Sequence, residues 1–466
     1  MCLEREIFAN ISPLDHRYSV GNEELWQRMS DYLSEEAAIR YLAKVEAALA
    51  KALAAQGVAP EEAAEEISRA AGEVRPEEVI AEEAKTRHNI RALVNVIQAK
   101  VSPQVRPWVH FTATSADIID SANALRYKEF TRDVLLPQLK ELIGTLVEMA
   151  QREKDTLQVG RTHGQHAVPI TFGYYLAGYV QRLGTSYQRI QEAAENLRGK
   201  MAGAVGAYNA SSLVVEDPLA LEEQVMAELG IKASPFATQV VEAEYMLALM
   251  HEYVTCLGIL ANFADDMRHL QRTEIGEVGE YFAPEQVGSS TMPHKRNPWN
   301  YEHVKSLWKT FLPRIMTVYM DQISEHQRDL SNSASSRFLA ELAAGCVLAM
   351  NRLNQVTKKL RVDAEAMRRN FAASARMIVA EPLYILLASK GHPDAHEAVR
   401  VLTLEAEKTG RPVVELAKSK AELEPYLAQL TTEQWKVLED PAAYTGQAAR
   451  KTELICNHWI SQLNIS

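Results

Sequence analysis

The sequence predicts an all-α protein, and three observations carry that prediction. No proline occurs between Pro169 and Pro218, between Pro235 and Pro284, or between Pro313 and Pro382. Proline breaks helix interiors and thirty helical residues span roughly 45 Å, so these windows allow unusually long helices. Leu135, Leu139, Leu142, Leu146 and Met149 recur at alternating spacings of four and three, the seam of a helix in a bundle. Strand-like alternation is nearly absent, as are Asn-Gly and Asp-Gly hairpin turns.

Taken in order, residues 1–111 read as a small helical domain. Ser30 to Gly57 is alanine- and leucine-rich with apolar residues at helical spacing, and the acidic stretch Pro60 to Glu83 reads as solvated helix and loop. Residues 112–360 hold the proline-free windows and form a central long-helix bundle, with apolar faces available to other subunits. Residues 361–466 read as a third helical domain.

Composition excludes several function classes. At 466 residues, 47% apolar and 24% charged, the chain has an ordinary globular composition and is long enough for two or three domains. A formal charge of −11 disfavours a nucleic-acid partner, while leaving room for a basic pocket. Cys2, Cys256, Cys346 and Cys456 lie far apart, which suggests neither a disulfide framework nor a zinc site and fits a reducing cytosol. Met1 to Glu6 is charged and lacks an apolar core, so no signal peptide is read there. No run of about 18 apolar residues occurs, and no membrane span is expected.

The most informative stretch is Gly288-Ser289-Ser290-Thr291-Met292-Pro293-His294-Lys295-Arg296-Asn297-Pro298. Two hydroxyls, an ammonium, an amide and an imidazole share one short segment. Gly288 permits a bend, and the prolines disfavour helix at the residues before them. The segment should feed the start of a helix read over Trp299 to Lys309, where free N–H groups and the helix dipole favour negative charge. A serine there can serve as an alkoxide-like base, with Lys295 and Asn297 gripping an anionic substrate. Spacing alone does not separate Ser289 from Ser290.

This stretch resembles the signature loop G-S-S-x-M-P-x-K-x-N-P of the fumarase/aspartase superfamily and fills every fixed position. His294 and Arg296 around the lysine resemble the adenylosuccinate lyase branch, a variant shared by carboxymuconate cycloisomerases.

Further motifs extend the resemblance over nearly the whole chain. Arg17-Tyr18 resembles a pair that contacts the substrate phosphate, a task suited to an arginine fork. Thr86-Arg87-His88-Asn89 is similar to T-[RK]-H-D, whose histidine lies near the phosphate. Asn89 replaces the aspartate and removes a charge that could hold the imidazole protonated. Trp108 to Asp120 follows W-[VI]-H-[FY]-G-x-T-S-x-D-x-x-D, except that Thr112 stands for the glycine. The resemblance makes His110, Thr114 and Ser115 substrate contacts; Thr114 and Ser115 can donate to a carboxylate, and Asp117 reads as a helix cap.

Gly160-Arg161-Thr162-His163-Gly164-Gln165-His166-Ala167 contains two histidines three apart, but no third ligand or HExxH pattern accompanies them, so no metal is expected. The segment resembles G-R-T-H-G-Q-x-A, which gives His163 the role of acid and Gln165 that of substrate contact. An imidazole can protonate a departing nitrogen near neutral pH. Lys200 to Asn209 resembles K-x-x-G-A-V-G-x-Y and reads as a close loop or helix contact. Glu302, on the helix after the signature loop, matches a glutamate that pairs with the catalytic histidine of a neighbouring chain. Glu325 to Arg337 is similar to W-H-E-R-D-x-S-H-S-S-x-x-R, which places Arg328, Ser333 and Arg337 on a phosphoribosyl group. Asp440 to Gly446 matches a D-P-x-x-Y-x-G near the family's C-terminus.

The resemblance implies a three-domain, all-α subunit in a cytoplasmic homotetramer, with each active site built from three chains. It also implies β-elimination of fumarate from a succinyl-purine nucleotide, a small-molecule substrate. Ser289 would be the base, Lys295 and Asn297 the stabilisers of the doubly charged intermediate, and His163 the acid. Neither metal nor organic cofactor is called for. Another lyase of the superfamily, a carboxymuconate cycloisomerase, or a non-catalytic structural relative are the alternatives.

Overall fold

A computed structural model describes residues 7–286 and 288–465. The Met1 to Glu6 segment and Cys2 lie outside the described residues. The principal helices are α1 (Glu35–Ala55), α2 (Asn89–Lys100), α3 (Ser115–Phe130), α4 (Leu136–Arg152), α5 (Phe172–Glu195), α6 (Glu244–Leu270), α7 (Trp299–Phe311), α8 (Leu339–Thr357), α9 (Ala364–Ile378), α10 (Ala380–Ser389) and α11 (Ala448–Leu463). Long helices α5 and α6 lie in the first two proline-free windows, as the sequence predicts, whereas the third is divided among the short helix Arg314–Met320, α8 and α9. All five seam residues ahead of and along α4 are buried.

The chain divides into two compact units. One comprises Met1–Leu139, Thr185–Gly258 and Ser306–Asn351; the other comprises Lys140–Gly184, Ile259–Lys305 and Arg352–Ser466. All five passages from one to the other fall inside helices.

In the first unit α1 packs on α3 and on the helix Glu61–Gly72. Ser34 interrupts the helix expected over 30–57: its hydroxyl accepts the Ala37 N–H at 3.1 Å and starts α1 afresh. Between α3 and α4 lies one π-turn, Thr131–Leu135. Pro137 has no N–H for the Asp133 carbonyl, and the Arg28 guanidinium takes that carbonyl at 2.9 Å. The core here is built from large side chains such as Tyr41, Leu49, Tyr127, Phe130 and Tyr253.

The second unit holds Phe172, Phe263, Tyr301 and Trp459 in its core, beside a cluster around Leu383, Leu387, Leu402 and Leu416. Gly184 admits the Trp459 indole, since a Cβ there would sit 2.3 Å from the ring. It also contains a feature the sequence reading missed. Strands β1 (Leu157–Thr162) and β2 (Gln165–Thr171) form an antiparallel hairpin, with Thr162 opposite Gln165 and an irregularity at Gly160. Its two-residue turn is His163-Gly164, with φ values of 55° and 75°. Both central residues are left-handed, as a type I′ turn requires; a histidine stands where asparagine or aspartate is the usual signal.

Two helical stretches, Glu244–Leu270 and Ala364–Ser389, have the length and mean hydropathy of a membrane span, although neither is an unbroken apolar run. The first buries Leu249, Met250, Tyr253, Leu257, Leu260 and Met267 within the protein. The second is broken at Val379 between α9 and α10 and carries Arg368, Arg369, Arg376 and Glu381.

Candidate active site

In the first unit, the candidate residues lie on four separate segments. The best-defined runs from His110 to Asp117. His110 and Thr112 both adopt left-handed backbone, with φ of 61° and 67°. For Thr112, a β-branched residue in the glycine position of the motif, that conformation is strained. The His110 Nδ1 lies 2.7 Å from Oε1 of Glu46 on α1. Burial alone would push this imidazole's pKa down, but the Glu46 hydrogen bond and charge, aided by Asp117, raise it above the ordinary value. Thr114 and Ser115 stand half-buried at the N-terminus of α3, where orphan N–H groups favour an anion.

Asp117 caps that helix by accepting the Thr114 N–H at 2.8 Å, and does more. Its carboxylate also accepts the Gly203 N–H at 3.2 Å and pairs with the Lys200 ammonium. Both side chains of the ion pair are fully buried, so Lys200 is a structural anchor for the Gly203 turn.

Arg17 and Tyr18 follow the short helix Pro13–His16; Arg17 is exposed and Tyr18 half-buried. His88 and Asn89 are exposed at the start of α2. His88 caps that helix, its Nδ1 accepting the Arg91 N–H at 3.3 Å.

Arg328 donates to Gln239 Oε1 at 2.8 Å and lines a cavity of about 400 Å³ with Asp120, Arg198 and Tyr245. Burial pushes the Asp120 carboxyl up to about 6, against the opposing Val241 N–H bond and the Lys200 and Arg328 charges. Ser333 and Arg337 are exposed and do not line that cavity.

In the second unit, the signature loop is tied at its ends. Asn297 Nδ2 donates to the Gly288 carbonyl at 2.9 Å. A Cβ on Gly288 would sit 2.1 Å from the Lys295 carbonyl oxygen, so only glycine fits. Within the loop, Ser289 Oγ accepts the N–H groups of Met292 at 3.1 Å and Thr291 at 3.4 Å. Lys295 is exposed and Ser289 half-buried.

The far limb is held by Gln271, whose Nε2 donates to the Arg296 carbonyl at 3.1 Å while its Oε1 accepts the Glu280 N–H at 2.9 Å. The Arg296 guanidinium lies 4.8 Å from the Phe282 ring centre. Glu280 in turn accepts the Tyr301 N–H at 3.0 Å and the Asn300 amide at 2.7 Å, capping α7. Helix α7 starts at Trp299, directly after Pro298, with Glu302 exposed in its first turn.

His163 and Gln165 are exposed at the tip of the β1–β2 hairpin. The hairpin base is fixed by the buried Glu277, which receives Arg161 bidentately at 2.5 and 3.1 Å, Gln158 at 2.8 Å and Asn370 at 2.9 Å. His166 bonds instead to the Ser374 hydroxyl at 2.7 Å. Among the described residues, no hydrogen bond or ion pair joins His163 to Ser289, Lys295 or Glu302.

Glu46, Gln239, Gln271, Glu277 and Glu280 thus support the candidate residues, and sequence reasoning singled out none of them. Glu277 and Glu280 sit in Glu274-Ile275-Gly276-Glu277-Val278-Gly279-Glu280, a segment that matches none of the motifs. Only the short Glu-x-x-Glu spacing before the signature loop offered a signal.

Comparison with known proteins agrees with the motifs. Residues 16–309 match the family described as Lyase, and residues 324–436 that described as Adenylosuccinate lyase C-terminal. The chain is 37% identical over 456 residues to an adenylosuccinate lyase of Pyrococcus abyssi, covering 96% of this chain and 98% of the relative. It is 32% identical over 345 residues to an adenylosuccinate lyase of Bacillus subtilis, covering 73% and 78%. A solved 3-carboxy-cis,cis-muconate lactonizing enzyme from Pseudomonas putida superposes with a TM-score of 0.79 at 28% identity, covering 92% of this chain and 96% of that one. A fumarate lyase from Mesorhizobium sp. BNC1, 22% identical with a TM-score of 0.79 and coverage of 92% and 97%, shares the fold. The chain belongs to the adenylosuccinate lyase family.

Proposed function

We propose that this chain is a carbon–nitrogen lyase that splits adenylosuccinate into AMP and fumarate, and also cleaves the succinylated aminoimidazole carboxamide ribotide of purine synthesis. The observation that carries the mechanism is Ser289 Oγ accepting two backbone N–H groups inside a clasped loop. A free serine is far too weak a base at neutral pH. Amide dipoles aimed at its oxygen favour the alkoxide, and loop closure that excludes water strengthens them.

In the elimination, Ser289 removes the proton from the carbon beside the succinyl carboxylate. The electron pair forms the fumarate double bond as the carbon–nitrogen bond breaks, and His163 delivers a proton to the leaving nitrogen. Lys295 and the second N–H of Asn297 offset the charge that builds on the carboxylate. His110, Thr114, Ser115 and Gln165 hold the succinyl arm. Arg17, Tyr18, His88, Asn89, Arg328, Ser333 and Arg337 hold the phosphoribosyl end.

The working form is a cytoplasmic homotetramer whose active sites each draw on three chains, with Glu302 pairing the catalytic histidine of a neighbour. Its sequence divisions are 1–111, 112–360 and 361–466. Full-length identity to adenylosuccinate lyases supports this reading over a carboxymuconate cycloisomerase or a non-catalytic relative.

The test follows fumarate release by the purified protein from adenylosuccinate and from argininosuccinate, with lactone formation from 3-carboxymuconate monitored in parallel. Turnover of adenylosuccinate alone is expected, with Arg337→Ala raising its KM by about tenfold or more. Absence of fumarate from adenylosuccinate would overturn the proposal.

A further inference from the structure

We propose that Glu46 is a positioning residue that keeps His110 protonated, so that the ring's Nε2–H presents a fixed positive charge to an anionic group of the substrate. The Glu46 side chain, midway along α1, is 0% exposed, whereas that of His110 keeps 20% of its surface open. Among the described residues Glu46 bonds only to His110, through Oε1, and its Oε2 has no partner. A carboxylate taken out of water in this way needs a cation beside it.

The imidazole is the group in hydrogen-bond contact that can supply one, and its pKa is raised although burial works against it. The other charged groups facing the ring are Asp117 from α3, which favours the charged form, and Arg91 from α2, which opposes it. Two left-handed residues, His110 and Thr112, turn this segment. Backbone strain of that kind persists where surrounding structure enforces it, commonly at functional sites. With Nδ1 occupied by Glu46, Nε2–H is the one polar group the ring can still offer. Thr114 and Ser115 of the same segment add neutral donors at a helix N-terminus.

The substrate part of this inference rests on His110 being a contact in the proposed elimination; the charge state of the dyad does not. The experiment follows the His110 ring by NMR in the full-length protein carrying ¹³C-labelled histidine, with the signal assigned by its loss in His110→Asn. In wild type the titration midpoint should lie above that of an ordinary histidine, about 6.5. In Glu46→Gln, which keeps the shape and removes the charge, it should fall to that value or below.

Kinetics on the same variant should show KM for adenylosuccinate raised about tenfold, as expected for exchanging a charged donor for a neutral one. kcat should stay within about twofold, and the KM increase should grow as pH rises past the lowered midpoint. A wild-type midpoint at or below 6.5, or one unmoved by Glu46→Gln, overturns the proposal. So does a shifted midpoint with an unchanged KM profile. Should Glu46→Gln fail to fold, the wild-type titration decides alone. A protein that releases no fumarate defeats the proposed function while leaving the titration to decide the dyad.

Discussion

Between His110 and Asp117, the polar groups are fixed from below by buried partners: His110 by Glu46, and Asp117 by Lys200, Thr114 and Gly203. Between Gly288 and Asn297, most side chains are exposed, and the loop is tied mainly at its ends by Asn297 to Gly288 and Gln271 to Arg296. The first segment is therefore tied along its length. The second has few buried contacts to resist movement, the profile expected of an element that must close over a substrate. Changes in the first should therefore register in stability, and changes in the second in turnover.

The largest stability effect should come from Lys200→Met. It leaves the Asp117 carboxylate buried without its cation, a loss of about 3–5 kcal/mol, read as a marked fall in denaturation midpoint. Equal stability of variant and wild type would show that the pair is not what anchors this segment. In the loop, Gly288→Ala puts a Cβ into the Lys295 carbonyl. Turnover should fall by about 10²-fold, while the melting temperature barely moves because the loop has few buried contacts. A melting temperature that falls in step with activity would erase the contrast between the two segments.

Acidity sharpens the same contrast. His110 has a raised folded-state pKa, so its pairing with Glu46 contributes fully below the unfolded value of about 6.5 and is lost as pH rises through the folded one. The stability gap between wild type and Glu46→Gln should accordingly narrow toward alkaline pH, as followed by denaturant titration; a gap that widens contradicts the assignment. The smallest effect is expected from Thr112→Gly. Removing a β-branched residue from a left-handed position should stabilise by about 1 kcal/mol, partly offset by glycine's extra freedom when unfolded. Destabilisation would mean that the threonine side chain contributes more than its backbone strain costs.

The helical architecture was legible wherever one segment decided its own structure. The Leu135 to Met149 seam and the proline-free windows announce their helices because periodicity and proline act locally. The hairpin carrying His163 did not, since its turn uses His-Gly and its strands lie partly exposed. Of the candidate site, the loop and the motif residues could be read directly. Their supports could not: Glu46 meets His110 from 64 residues away, and Gln239 meets Arg328 from 89. Nothing in the local pattern marks Glu46, one charge among the alanines and leucines of α1, as a buried partner. Lys200 illustrates the reverse case, a lysine in a glycine-rich segment that proves to be wholly internal.

The central claim is that the Ser289 hydroxyl removes the substrate proton, and one comparison tests it most directly: fumarate release from adenylosuccinate by wild type and by Ser289→Ala at neutral pH. Among the described residues, Ser289 hydrogen-bonds only within the loop, so the variant should fold and melt like wild type. Its kcat should fall by about 10³-fold or more, with substrate still bound. A folded Ser289→Ala protein that turns over adenylosuccinate at the wild-type rate would contradict the account.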